Sequence, residues 1–428
     1  MAAPKPSRRP DPAPVRGARI GADGDGMAVL LDGAPLYLPD TLPGELVQTT
    51  ALSRRGEGWA AVSNVIEASP DRVAPPCPHF GPCGGCTLQH WRDEPYAAWK
   101  AAQVADALRR AGADIAVELP HRTPPGARRR IDAAILRGPD GIQVGLHRRR
   151  SRDVVDMRAC PILHLALFNV IQALRPVLPR LDALRREGSA LLNLLDSGPD
   201  LLLRTDGALS SGDRLRLAAF AAEQRLPRVS WARDTGPFET AALLRPATTA
   251  LAGVDAAIPP GAFLQASREG EAAITAAVLA ALPDAFTRKA RIAELYAGVG
   301  TLTHALSTRA RVVAYEGDPA ACAALRSAGN QRVEVVQRDL ARQPLQPKEL
   351  AGVGCVVLDP PHAGAAATIP GLAASGVARI IYVSCNPAAL SRDARALIAG
   401  GYRVASAVAI DQFLWSAQVE SVILFQRG

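Results

Sequence analysis

Aromatic side chains are scarce in this chain: Phe, Tyr and Trp make up 4% of its 428 residues, which argues against a surface that holds nucleic acid by stacking many bases. No run of about 18 uncharged apolar residues occurs, so no membrane-spanning helix is expected; the longest Ala/Leu-rich stretches are broken by Asp, Glu, Arg or Pro. The opening MAAPKPSRRPDPAPVR is basic, but no apolar segment follows it. It therefore does not read as a secretory signal, and residues 1–16 are expected to form a disordered basic tail on a cytoplasmic protein. Cysteines number seven and are unevenly clustered, which suits metal-binding or catalytic thiols better than a secreted disulfide frame. No feature implies an obligate protein partner.

What is present is a 48% hydrophobic chain with a formal charge of +8. The apolar content is enough for two or three domain cores. Arginine clusters carry much of the charge, notably Arg128-Arg129-Arg130 and Arg148-Arg149-Arg150 with Arg152. They point either to a polyanionic partner or to ordinary solvated faces.

From Arg19 to about Ala68, short β-type runs alternate with glycine turns, predicting a small β-barrel. An amphipathic helix is expected over roughly Tyr96–Ala111. Arginine-rich strands, RRRIDAAILR and GIQVGLHRRRSRDVVDM, and a Leu-rich helical section from Pro161 to Arg186 follow. From Gly261 the pattern changes to RIAELYA, RVVAYEG, VEVVQRD, CVVLDPP, RIIYVSC, YRVASAVAI and ESVILFQR, separated by helix-length segments. This alternation implies βαβ units and a parallel sheet. The domains expected are 17–68, 69–260 and 261–428, and the fold class is multidomain α/β.

In Glu294-Leu-Tyr-Ala-Gly298-Val-Gly300-Thr301 a strand ends in an acid and glycines before a helix begins, letting backbone approach a ligand closely. Glu316 ends the next strand, where a carboxylate can accept both ribose hydroxyls, and Asp339 ends the one after. The first loop lacks a full GxGxxG. Acids at successive strand ends without a phosphate loop suit an adenosine ligand lacking a pyrophosphate, S-adenosylmethionine better than NAD.

The fourth strand ends in Asp359-Pro360-Pro361-His362 and the fifth in Tyr382-Val-Ser-Cys385-Asn386-Pro387. Ligands of open α/β sheets sit outside the carboxyl ends of the strands, so both motifs face the cofactor crevice and Cys385 is a candidate nucleophile. Carbon 5 of uracil is too weak a nucleophile to take a methyl group directly. A thiolate adding to carbon 6 turns the ring into an enolate that can, after which a base removes the carbon 5 proton. Glu420 is that candidate if the last strand runs antiparallel to the others, placing its first residue level with their carboxyl ends. Buried apolar cysteine and surface glutamate are the alternative readings.

FLQ at 263–265, ELYAGVGTLT, DPP at 359–361, YVSCNPAALSRD, and DQF followed by VE at 419–420 resemble the ordered motifs of the RNA uracil-C5-methyltransferase family. CPHFGPCGGCTLQHW and SRDVVDMRACPIL are similar to its iron–sulfur segment, and the N-terminal β region resembles a TRAM domain, an OB-like RNA-binding barrel. The resemblance spans most of residues 17–428. It implies a C-terminal Rossmann-like class I methyltransferase domain, an N-terminal TRAM barrel and a central α+β iron–sulfur domain. Cys385 would be the nucleophile and Glu420 the proton acceptor, with Gln265, Tyr296, Thr301, Glu316, Asp339 and Asp359 lining S-adenosylmethionine and the transferred methyl. The TRAM-like segment and the cysteines look most like the bacterial branch acting on 23S rRNA. The chain departs from the family at Ala297 (usually Cys), Thr301 (Asn), His362 (Arg) and Gln418 (His).

Cys77, Cys83 and Cys86 are clustered, and Cys160 follows with Pro161 behind it. By spacing alone the set suits either ferredoxin-like ligation or structural zinc; the resemblance implies a 4Fe-4S cluster bracing the RNA-contacting central domain. The rival functions are uridine methylation of tRNA, amino methylation or cytosine C5-methylation, both disfavoured by His362 after the prolines, and a noncatalytic RNA-binding protein.

Overall fold

The computed structural model describes residues 13–30, 32–50 and 58–427. Most of the expected basic tail, and residues 51–57 of the expected barrel, lie outside the described residues. The chain divides into two units, Met1–Ala97 with Trp415–Ala417, and Ala98–Leu414 with Gln418–Gly428. Among the described residues no helix is long and apolar enough to cross a membrane.

The first unit holds β1 (Val15–Arg16), β2 (Arg19–Ile20), β3 (Gly26–Val29), β4 (Pro35–Leu38), β5 (Leu46–Thr49) and β6 (Val62–Glu67). They form two three-stranded antiparallel sheets, β1-β5-β6 and β2-β3-β4. Period-two alternation sends Leu36 and Leu38 inward with Ala28, Val47 and Ala60, while Tyr37 between them stacks on Trp59 at 4.7 Å. The fully buried carboxylate of Glu45 ties these strands to the cysteine segment. It accepts from Leu42 N at 2.8 Å, Ser69 N at 3.2 Å and Arg72 Nη2 at 2.7 Å.

The chain enters the second unit within α1 (Asp93–Ala111), which opens on Asp93 and Glu94 and closes on Arg109 and Arg110, charges that complement the helix dipole. Next come β7 (Glu118–Arg122), β8 (Arg130–Gly138), β9 (Gly141–His147), β10 (Val154–Asp156), α2 (Leu165–Leu174), β11 (Glu187–Leu195), β12 (Gly198–Thr205), α3 (Ser211–Glu223), β13 (Arg228–Arg233) and β14 (Phe238–Leu243). A seven-stranded sheet, β10-β9-β8-β11-β12-β13-β14, is antiparallel except for β12 and β13. α3, capped by a reciprocal Ser210–Asp213 box, connects that parallel pair, and α2 and α3 pack on the sheet through Leu167, Ile171, Leu217 and Phe220. The Leu-rich section expected to be helical from Pro161 to Arg186 forms only α2 and one 3-10 turn, Leu178–Arg180. Pro176 and Pro179 remove backbone donors there.

The hairpin β15 (Thr248–Leu251) and β16 (Val254–Ala257) leads into α4 (Arg268–Ala280), β17 (Arg291–Leu295), α5 (Thr303–Ser307), β18 (Arg311–Glu316), α6 (Pro319–Ser327), β19 (Val333–Gln337), β20 (Val353–Leu358), α7 (Ile369–Ser375), β21 (Arg379–Ser384), α8 (Pro387–Ala399), β22 (Tyr402–Asp411) and β23 (Glu420–Arg427). The eight-stranded sheet has the order β19-β18-β17-β20-β21-β23-β22-β7. β17 to β21 are parallel neighbours, whereas β23 runs antiparallel to both β21 and β22. Alternate residues feed two cores: Val356 and Leu358 meet α1, α7 and α8 through Leu108, Leu372 and Leu390, and Cys355 and Val357 meet α4, α5 and α6 through Ile274, Leu306 and Leu325. Helices thus cover both faces, and the strand order reverses between β17 and β20, where such sheets open a ligand crevice. The eighth strand, β7, is supplied by residues 118–122, far upstream of the βαβ alternation.

Candidate active site

The glycine-rich loop after β17 turns through three positive φ angles: Tyr296 at 64°, Gly298 at 57° and Gly300 at 102°. Gly300 is required twice, because a Cβ there would lie 2.5 Å from Leu325 Cδ2 as well as in a left-handed conformation. A Cβ on Gly298 would meet nothing within 4 Å, so backbone is open toward the crevice. Tyr296 adopts φ values that disfavour a bulky residue, with its hydroxyl 3.0 Å from Thr368 Oγ1.

Glu316, the last residue of β18, accepts from Gly298 N at 2.7 Å and from Asp318 N at 2.8 Å. Glu294 is 2% exposed, and its Oε2 has no partner among the described residues. Burial, helped by the charges of Asp359 and Glu316, pushes its carboxyl up to about 8. Asp339 is exposed and caps the turn after β19, accepting from Ala341 N and Arg342 N at 3.0 and 3.2 Å. Thr301 is half-buried directly after Gly300. An acid below an open glycine loop, with a buried orphan oxygen beside it, fits the adenosyl and amino groups of S-adenosylmethionine.

The chemistry-bearing side chains converge at the ends of β20, β21 and β23. Ser384 pairs in register with Ser421, so Cys385 and Glu420 leave the same end of neighbouring strands, one going out and one coming in. Glu420 is 3% exposed and its Oε2 accepts from Gln412 Nε2 at 2.7 Å. Gln412 Nε2 also donates to Gln265 Oε1 at 2.9 Å, and Gln265 Nε2 donates to Asp359 Oδ2 at 3.2 Å. Burial foremost raises both acids above the usual carboxylate range, and the charge of Asp359 adds to the rise at Glu420. The Cys385 thiol is pushed up to about 12, first by burial and then by the charges of Glu420 and Asp359. That outweighs the thiolate-favouring N-terminus of α8 next to it.

The loop after β20 is held to the motif after β21. Asn386 caps α8 through Ala388 N at 2.9 Å and donates to the His362 carbonyl at 2.9 Å. Asp393, buried, accepts from Ala365 N and from Tyr382 Oη, each at 2.7 Å. Sequence reasoning assigned no role to Gln412, whose only signal was its place in the DQF motif, nor to Lys100, which carried none.

One expectation is corrected. Arg129 is 1% exposed and pairs with Glu271, its Nε donating to the Gln265 carbonyl at 3.1 Å and its backbone N to the Ala266 carbonyl at 2.8 Å. It positions the segment carrying Gln265 instead of facing a polyanion. Half-buried Cys77, Cys83, Cys86 and Cys160 form no disulfide, and among the described residues no three Cys, His, Asp or Glu side chains gather as a metal-holding group.

The family described as tRNA (Uracil-5-)-methyltransferase matches residues 348–428. An uncharacterized RNA methyltransferase of Brucella suis is 38% identical over 96% of each chain. A 23S rRNA (uracil(1939)-C(5))-methyltransferase of Chromohalobacter salexigens is 33% identical over 96% of this chain and 88% of its own. The chain belongs to the RNA uracil-C5-methyltransferase family. Its fold is shared with the Pyrococcus abyssi tRNA (uracil-54, C5)-methyltransferase, solved with S-adenosyl-L-homocysteine, at a TM-score of 0.74 and 22% identity, covering 96% of this chain and 100% of that one.

Proposed function

We propose that this enzyme methylates carbon 5 of a uridine in 23S rRNA through a covalent bond from Cys385, with Glu420 removing the carbon 5 proton. The observation that carries the reading is the antiparallel register of β21 and β23, which sets half-buried Cys385 and buried Glu420 at the same end of neighbouring strands. S-adenosylmethionine, held by Gln265, Tyr296, Thr301, Glu316, Asp339 and Asp359, supplies the methyl group as an electrophilic sulfonium carbon. Cys385 rests as a thiol, and its proton passes to the Asp359 carboxylate as sulfur adds to carbon 6 of the flipped-out uracil, leaving Glu420 ionised. The displaced electron pair makes carbon 5 nucleophilic toward the methyl; as the C5–CH3 bond forms, the methyl–sulfur bond breaks and its electron pair leaves on the sulfur of S-adenosylhomocysteine. Glu420 then takes the carbon 5 proton, the C–H electrons restore the C5–C6 double bond, and the C6–S bond breaks to return the sulfur to Cys385.

The rRNA substrate is supported by the Chromohalobacter relative; the second reading, tRNA, is favoured by the description of the matching family. The first-unit strands are assigned an RNA-binding role and Cys77, Cys83, Cys86 and Cys160 a 4Fe-4S cluster. The cluster rests on the sequence motif. Iron and sulfide in anaerobically purified protein test it. Mass mapping of 5-methyluridine in rRNA and tRNA from cells with and without the protein tests the reaction and chooses between substrates; absence of the change from both overturns the reading.

A further inference from the structure

We infer that Gln412 is the positioning residue of the proton-abstraction step, its carboxamide holding the carboxylate of Glu420 ready and linking it through Gln265 to Asp359. This rests on the covalent uridine mechanism proposed above.

Three bonds fix the orientation of that carboxamide. Nε2 donates to Glu420 Oε2 at 2.7 Å and to Gln265 Oε1 at 2.9 Å, while Oε1 accepts from Ala266 N at 3.2 Å. Rotating the amide by half a turn would set oxygen against two oxygens and N–H against N–H. Gln412 and Glu420 are each 3% exposed, so bulk water does not substitute for a lost donor. The fold also makes room for it: a Cβ on Gly270, in the first turn of α4, would lie 2.6 Å from Gln412 Cβ and 3.1 Å from its Oε1.

The direction of donation matters for the chemistry. Each acid at the ends of the chain receives an amide N–H, Glu420 from Gln412 and Asp359 from Gln265. A hydrogen bond donated to a carboxylate favours its ionised form, opposing burial and the mutual repulsion of two acids sharing one site. Glu420 must be ionised to accept a proton from carbon 5. Gln412 is the side chain that donates to it, and it also sets which oxygen is held and which is left to face the substrate.

The test measures, on the full chain with uridine-containing RNA and S-adenosylmethionine, both formation of the Cys385 adduct and its resolution to 5-methyluridine from about pH 6 to 9. Gln412→Met should form the methylated adduct near the wild-type rate but resolve it about tenfold to a hundredfold more slowly near neutral pH, with recovery as pH rises. Gln412→Glu, which places a third acid in the chain, should resolve it more slowly still. Gly270→Ala, which displaces Gln412 without changing its chemistry, should shift the same profile in the same direction and answers the question if Gln412→Met fails to fold. Equal losses in adduct formation and resolution with an unmoved pH profile would overturn the assignment. A wild-type enzyme that makes no 5-methyluridine on any RNA would instead sink the mechanism on which it rests.

Discussion

Lys100 and Asp411, 311 residues apart, form an ion pair with neither side chain exposed, Nζ lying 2.9 Å from Oδ1. The same ammonium donates to the carbonyls of Phe413 and Gln418. One buried cation therefore holds both ends of the segment between β22 and β23, the segment that begins with Gln412 and delivers Glu420. Burial pulls the ammonium below its usual range, and Asp411 opposes that pull.

Lys100→Met should cost about 3–5 kcal/mol of unfolding free energy, because fully buried Asp411 would lose the ammonium paired with it and the Phe413 and Gln418 carbonyls would lose a donor. The double variant Lys100→Met/Asp411→Leu should recover part of the loss, since it removes the stranded charge. Urea unfolding of the set decides the matter; an unchanged midpoint in Lys100→Met would show that the pair contributes no net stability.

Cys385→Ala should bind S-adenosylmethionine normally and form no covalent RNA adduct, because no sulfur is present to activate carbon 5. Glu420→Gln should behave differently, trapping RNA on Cys385 with the methyl already installed and visible on denaturing gels. Normal turnover by Glu420→Gln, or methylated uridine from Cys385→Ala, would refute the covalent scheme.

Glu294 ties stability to pH. Its carboxyl titrates near 8 in the folded protein against 4.5 in the unfolded chain. Between those values the folded state keeps a proton that the unfolded state has released, so stability falls as pH rises across that window. Glu294→Gln should remove the dependence and make the cofactor-free protein more stable than wild type at pH 8 by on the order of a few kcal/mol, with the advantage fading toward pH 4.5. Thermal melts at both ends of the window check the sign.

The arginine clusters should separate by experiment. Arg129→Met leaves half-buried Glu271 without its paired guanidinium and the Gln265 carbonyl without its donor, and should lower stability by about 3 kcal/mol, with a matching loss of activity through Gln265. Arg148, exposed at the end of β9, should be silent in unfolding. If RNA phosphates contact it, Arg148→Ala reduces the slope of log affinity against log salt by about 1; an unchanged slope assigns it to a solvated face.

The strands of the eight-stranded sheet were legible because each is a short apolar run bounded by turn residues, whereas the antiparallel direction of the last strand, only a condition in the sequence, is decided by its register with β21 and β22. The short first-unit strands were legible by their glycine turns. β7 was not: ELPHR has no strand-like apolar pattern, and it joins the sheet only because β22 leaves an unpaired edge. The run Arg128–Arg130 read as one surface feature, but Arg129, just ahead of β8, is drawn inward by its bonds to the carbonyls of Gln265 and Ala266 and its pair with Glu271, while its neighbours stay half-buried.

Local pattern determined the elements of this protein and the chemical groups at their ends: the glycine loop with Glu294, the Asp359 prolines, Cys385 before a helix, Glu420 opening a strand. Their protonation came from packing, because burial among converging acids exists only once strands remote in sequence are side by side. The same holds for Gln412, whose donor has meaning only where Glu420 and Gln265 meet it, and for Lys100, whose partner lies across the chain in β22.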